Sequence, residues 1–121
     1  MLPKAFRLTR SRDFKRVRRS GRSAGSSLLV LYALPVRGGE LRVGFSVSKR
    51  VGKATVRNRV KRLMREAVRQ QLPSVRPGQD LVFIARPAAA QATYNQVNEC
   101  VCYLLGKADA YRQQMKSVGN A

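Results

Sequence analysis

The sequence predicts a small α/β (α+β) fold, a single domain with a central mixed sheet packed by helices. Three observations carry that prediction. Leu41, Val43, Phe45 and Val47 alternate with Arg42, Gly44, Ser46 and Ser48, the period of a strand with one buried face. Val56, Val60, Leu63, Met64, Ala67 and Val68 repeat at helical spacing. Residues 80–85, DLVFIA, follow the breaker stretch PSVRPG as an apolar run. Strand, helix and strand in that order imply a parallel crossover, because parallel strands need a long connection. The 121 residues, 44% of them apolar, suffice for one core and not for two.

Along the chain, residues 11–20 read as a short basic helix. Thr9 or Ser11 is its expected N-cap, Phe14 and Val17 share one side, and Gly21 stops it. Residues 26–36, SSLLVLYALPV, read as a strand that Arg37, Gly38 and Gly39 turn into the alternating strand of residues 40–48. Gly44 on the open face of that strand permits close approach of another chain or a ligand, or marks a bulge. The basic loop Lys49-Arg50-Val51-Gly52-Lys53 leads into the amphipathic helix. Arg86-Pro87 ends the apolar strand headed by Asp80. From Tyr94 a further stripe, through Val97, Cys100, Val101, Leu104, Leu105 and Ala108 to Tyr111, predicts a packed helix over residues 94–113. Residues 117–121 are expected to fray.

Charge narrows the function. Twenty-five Lys and Arg face six Asp and Glu, with no His, for a formal net charge of +19. Without imidazole there is no Ser/His/Asp or Cys/His couple and no His-bearing zinc site. The six carboxylates lie at least ten residues apart, so no local acidic metal cluster exists. Cys100 and Cys102 read as free thiols, since two residues apart on a helix they point about 200° from each other. The longest apolar run, Leu28 to Leu34, is seven residues, too short for a membrane span, and a cytoplasmic protein is expected.

The cations are concentrated: residues 1–22 hold nine against Asp13, and residues 49–69 hold nine against Glu66. On the amphipathic helix Arg57, Lys61 and Arg65 form an i, i+4, i+8 line, with Asn58, Arg62 and Arg69 beside it. Like charges at that spacing destabilise an isolated helix, so the line reads as a binding face for a polyanion. An anionic membrane is the competing partner, against which stand the low aromatic content and the absence of Trp.

The run from Lys49 to Ala54, then Arg57-Asn58-Arg59-Val60-Lys61-Arg62-Leu63 and Arg65-Glu66, resembles the RNR signature of the protein subunit of bacterial ribonuclease P. The resemblance extends through Asp13-Phe14, LVLYAL, RVGFSVSKR, LVFIAR and the Tyr111 segment. It implies a sheet with a left-handed crossover through the RNR helix, a fold shared with the second domain of a small-subunit ribosomal protein. It also implies a cofactor role for a catalytic RNA that removes the 5′ leader of precursor tRNA, with magnesium at the RNA active site and metal positions near the leader cleft; no acidic cluster in this chain supports such a position, so no metal or catalytic group is expected on the protein. By the resemblance Lys49, Arg50, Lys53, Arg57, Asn58, Arg59, Lys61, Arg62 and Arg65 face the RNA subunit. Phe14, Arg18, Tyr32, Ser46 and Ser48 line the leader cleft. Some relatives carry an aromatic where this chain has Arg18, so leader binding here would rest more on charge. Asp80 is the one weak candidate for a metal near the cleft. Neither DNA nor a membrane is an expected partner. A structural ribosomal-RNA-binding protein is the alternative, and a self-sufficient protein nuclease ranks last.

Overall fold

Four strands and three helices account for most of residues 6–111, the part of the chain described by this computed structural model. In chain order they are α1 (Ser11–Ser20), β1 (Arg22–Gly25), β2 (Leu29–Pro35), β3 (Leu41–Ser46), α2 (Ala54–Gln71), β4 (Gln79–Ala85) and α3 (Tyr94–Lys107). Short 3-10 turns at Leu72–Ser74 and Pro87–Gln91 follow α2 and β4. The sheet order is β1-β2-β4-β3, with β3 and β4 parallel and the other neighbours antiparallel. The crossover through α2 is therefore present. The expected fray at residues 117–121 lies outside the described residues.

The glycine turn joins β2 to β3 without pairing them, because β4 lies between. Gly78 at the mouth of β4 accepts from the Val36 N–H and donates to the Glu40 carbonyl, so the turn straddles the entering strand. Burial explains the order. β4 hides six of its seven residues, and a strand apolar on both faces is stable only at the centre of a covered sheet. The edge strand β1, RSAG, has no apolar period from which to read it. It is held by its backbone pairing with β2.

The two sheet faces carry unequal cores. Leu29, Leu31, Val43, Leu81 and Phe83 pack against Val60 and Met64 of α2 and Val97, Val101, Leu104 and Leu105 of α3 in the main cluster. Phe45 and Phe83 stack there with ring centroids 6.0 Å apart. On the other face, among the described residues, the buried hydrophobic cluster is only Leu8, Val17 and Val82, ringed by half-buried Phe14, Tyr32, Leu34 and Ile84. There α1 lies on the sheet. Leu8, on the chain leading into it, donates its N–H to the Val43 carbonyl at 2.9 Å.

Helix ends differ from expectation in two places. Neither Thr9 nor Ser11 caps α1; Arg10 occupies the N-cap in extended conformation and makes no side-chain cap, leaving Asp13 in the first turn to favour the helix dipole. Gly21 does end the helix, for a steric reason, since a Cβ there would lie 2.6 Å from the Val17 carbonyl oxygen. Thr93 and Gln96 form a capping box at the start of α3. That helix stops at Lys107, short of the expected residue 113, whose last positions lie outside the described residues. Asp109 takes a positive φ of 56°, its N–H donates to the Gly106 carbonyl, and the Ala110 N–H donates to that of Leu105. Those two bonds make a Schellman termination with Asp where Gly is usual, which hid it from the sequence pattern. Tyr111 thus lies beyond the helix, bridged to Val75, with its hydroxyl donating to Gln71 Oε1 at 3.1 Å. Burial and the neighbouring Cys102 push its phenol above the ordinary range. Cys100 and Cys102 are free thiols, both half-buried.

Candidate nucleic-acid interface

Gly44 is neither a bulge nor an open approach. The ring of Phe14 covers it so closely that a Cβ would meet the ring at 2.5 Å and the Leu8 carbonyl oxygen at 3.0 Å. Phe14 is half-buried, and its ring forms part of the walls of two adjoining depressions. One lies among Arg7, Thr9, Phe45 and Arg65; the next lies among Ser11, Lys15, Arg18 and Ser46. A third, between Lys15, Arg18, Arg19 and Tyr32, shares Lys15 and Arg18 with the second. The three form a chain of shallow hollows from Arg65 on α2, past Phe14, to Tyr32 on β2.

The Arg18 guanidinium carbon sits 5.9 Å from the centre of the Tyr32 ring, within cation–π range. Of the residues expected at the leader cleft, Phe14, Arg18, Tyr32 and Ser46 line these hollows. Ser48 does not; it lies exposed in the turn after β3, where its carbonyl accepts from the Val51 N–H. Arg7, Thr9, Lys15 and Phe45 join the wall without having been singled out in the sequence, and Arg7 and Thr9 reach it only because the segment before α1 docks beside β3.

The nine residues expected to face the RNA subunit divide. Lys49, Arg50, Lys53, Asn58 and Arg62 are exposed on α2 and the loop before it. Lys61 is half-buried on the flank that leads to Arg65, and Arg65 belongs to the first hollow. Arg57 reaches back to the Gly52 carbonyl at 3.4 Å. Arg59 points elsewhere. About 160° around the helix from Lys61, it donates to the carbonyls of Ala92 at 2.6 Å and Ala90 at 3.3 Å, tying α2 to the turn before α3. Glu66 is held down to about 2 by Arg69 and then Gln70, so part of the local positive charge is offset there.

Asp80 receives guanidinium groups. Its side chain is fully buried, takes two bonds from Arg42 at 3.1 and 3.0 Å and one from Arg16 at 2.7 Å. Asp13 flanks the pair, 3.4 Å from Arg16 and 4.0 Å from Arg42. Donation to the Asp80 carboxylate raises both arginines above the ordinary guanidinium value. That corrects its reading as a metal candidate: its oxygens are occupied by charge-assisted hydrogen bonds. Among the described residues no group of three or more His, Cys, Asp or Glu could hold a metal ion. Nor is any helix among them long and apolar enough to cross a membrane.

Known proteins share both the sequence and the fold. A family profile described as Ribonuclease P matches residues 2–109. The ribonuclease P protein component of Roseiflexus castenholzii is 45% identical over 108 residues, covering 88% of each chain. That of Chloroflexus aurantiacus is 44% identical over 106 residues, 87% of this chain and 78% of its own. The solved RNase P protein of Staphylococcus aureus superposes with a TM-score of 0.83 at 30% identity, covering 90% of this chain and 100% of that one. The Thermotoga maritima RNase P protein gives 0.76 at 30% identity over 84% of this chain and 96% of that one.

Proposed function

The chain belongs to the family of ribonuclease P protein components, subunits of an RNA-based endoribonuclease of tRNA processing, and from that premise we propose how its surfaces divide the task. The row of hollows from Arg65 to Tyr32 takes the single-stranded 5′ leader of precursor tRNA. The exposed cations of α2 and of the 49–53 loop meet the catalytic RNA subunit. Bond cleavage stays with that RNA and its magnesium; the protein supplies counter-charge and a track for the substrate, in the cytoplasm.

The observation that carries this reading is the continuity of the hollows, with cations and two aromatic faces alternating along them. A single strand offers a regular phosphate charge and a π-face on every base. Lys15, Arg18 and Arg65 answer the first, Phe14 and Tyr32 the second, and neither contact demands a particular base. With one edge of its ring already packed against Gly44, Phe14 is pre-set for stacking. Arg18, placed where some relatives carry an aromatic, offers its guanidinium plane beside Tyr32.

The test is a comparison of two ligands on one holoenzyme. Phe14→Ala and Tyr32→Ala holoenzymes should lose about 1–3 kcal/mol of affinity for precursor tRNA with a leader, while binding mature tRNA as the parent does. Equal losses for both ligands would return the two rings to packing alone.

A further inference from the structure

We propose that the buried Asp80 is a positioning residue for the leader preference: through Arg16 and Arg42 it fixes where α1 lies across the sheet, and so how wide the leader track is. The inference rests on the reading of the hollows as that track.

The geometry begins with how little else holds α1. Val17 is its only buried residue, and its N-terminus has no side-chain cap. Around the helix, Phe14 and Arg18 project toward the hollows, while Arg16 projects from the opposite flank, about 160° from both Phe14 and Arg18. On that back side the sheet presents Arg42 and Asp80 as direct cross-strand neighbours. Arg42 grips Asp80 through two hydrogen bonds, which leaves the carboxylate fixed within the sheet as an anchor for Arg16. Asp13 closes the group from the first turn of α1. A residue packed on one flank and an ion group on the other set the helix in rotation and in lateral position. Released on the Arg16 side, α1 loses one of its two lateral stops, and the width of the track beside Phe14 is no longer set.

The same contacts keep two cations away from RNA. Arg16 and Arg42 are each about a third exposed, yet their guanidinium groups are spent on Asp80. Lys15, Arg18 and Arg19, on the same helix, have no such anion among the described residues and line the hollows. A +19 chain that binds every polyanion equally has no leader preference. Placing a carboxylate under α1 sorts its cations into those that hold the helix and those that meet the substrate.

The experiment uses the assembled holoenzyme and reads the affinity ratio between leader-bearing precursor and mature tRNA. Arg16→Gln leaves the Arg42–Asp80 pair intact, so no buried charge is stranded and the fold survives. Its ratio should fall about tenfold, the cost of a misplaced binding helix, with mature tRNA unaffected and Arg16→Lys recovering part of the loss. Asp80→Asn, where it folds, sets the two accounts in opposition. It raises the net charge and frees two guanidinium groups, so charge alone predicts tighter binding of both RNAs with the ratio unchanged, whereas positioning predicts a lower ratio. An Arg16→Gln holoenzyme with the parental ratio overturns the proposal. If Phe14→Ala lowers the ratio and Arg16→Gln does not, the track stands and the positioning role fails; if neither moves it, the track itself fails.

Discussion

The two basic helices are anchored by opposite means. α2 spans 18 residues and buries Val60, Met64, Ala67 and Val68 in the main core. α1 spans 10, buries Val17 alone, and relies on Phe14 against Gly44 and on the ion group at Asp80. Hydrophobic burial is non-directional and scales with area, so α2 holds its cations firmly whatever its polar partners do. Polar anchoring is directional and depends on a few bonds, each lost outright when a partner goes. The helix that carries the fold is thus the robust one. The helix that flanks the hollows is set by contacts that can be changed one at a time.

Four substitutions test that contrast, taken in descending order of effect. Val60→Asp puts an unpaired carboxylate into the fully buried face of α2, and several kcal/mol of desolvation should abolish cooperative unfolding of the free protein in a melting experiment; a parental transition would show α2 to be dispensable to the core. Gly44→Ala attacks α1 instead. The new methyl collides with the Phe14 ring and the Leu8 carbonyl, so a loss of about 1–3 kcal/mol in stability is expected. Circular dichroism should show the helices retained, and the leader preference should drop while assembly with the RNA subunit, which the proposal assigns to α2, stays put. Parental leader preference in this variant would separate Phe14 from the track.

The smallest effect divides α2 itself. Arg59→Ala removes two bonds to the backbone before α3 and should lower the melting temperature, with about 1–3 kcal/mol lost, while leaving the salt dependence of RNA-subunit binding unchanged. Lys61→Ala should do the reverse, sparing stability and making the salt dependence shallower by roughly 0.7 to 0.9 in logarithmic slope for one lost phosphate contact. A shallower slope in both variants would place Arg59 on the RNA after all.

Much of this was legible in the residues, and the illegible part has a common cause. Periodicity is local, so the buried stripe of α2, the alternation of β3 and the apolar run of β4 could each be read within one segment. The same segments gave the family resemblance, since the RNR block lies within one helix and its preceding loop. Asp80 was visible as an acid at the head of an apolar strand, but not as an ion pair: Arg16 is 64 positions away in sequence. Arg59 and Lys61 are two residues apart and chemically alike; only the turn at Pro87–Gln91, packed beside α2, makes one a structural tie and leaves the other for a partner. Gly44 looked open because nothing in its neighbourhood along the chain says that Phe14 will lie on it.

The fold class, the elements that carry the core, the excess of cations on two helices and the family resemblance could be read from the chain alone. These follow from side-chain type and spacing, which folding preserves. Tertiary structure decided the strand order, with β4 between β2 and β3, and which cations are tied to carbonyls and carboxylates and which stay turned toward solvent. It also decided that Phe14 both packs on Gly44 and walls two of the hollows. A charged or aromatic side chain has several chemically acceptable partners, and the choice among them rests on distances of a few ångströms that only the packed chain defines.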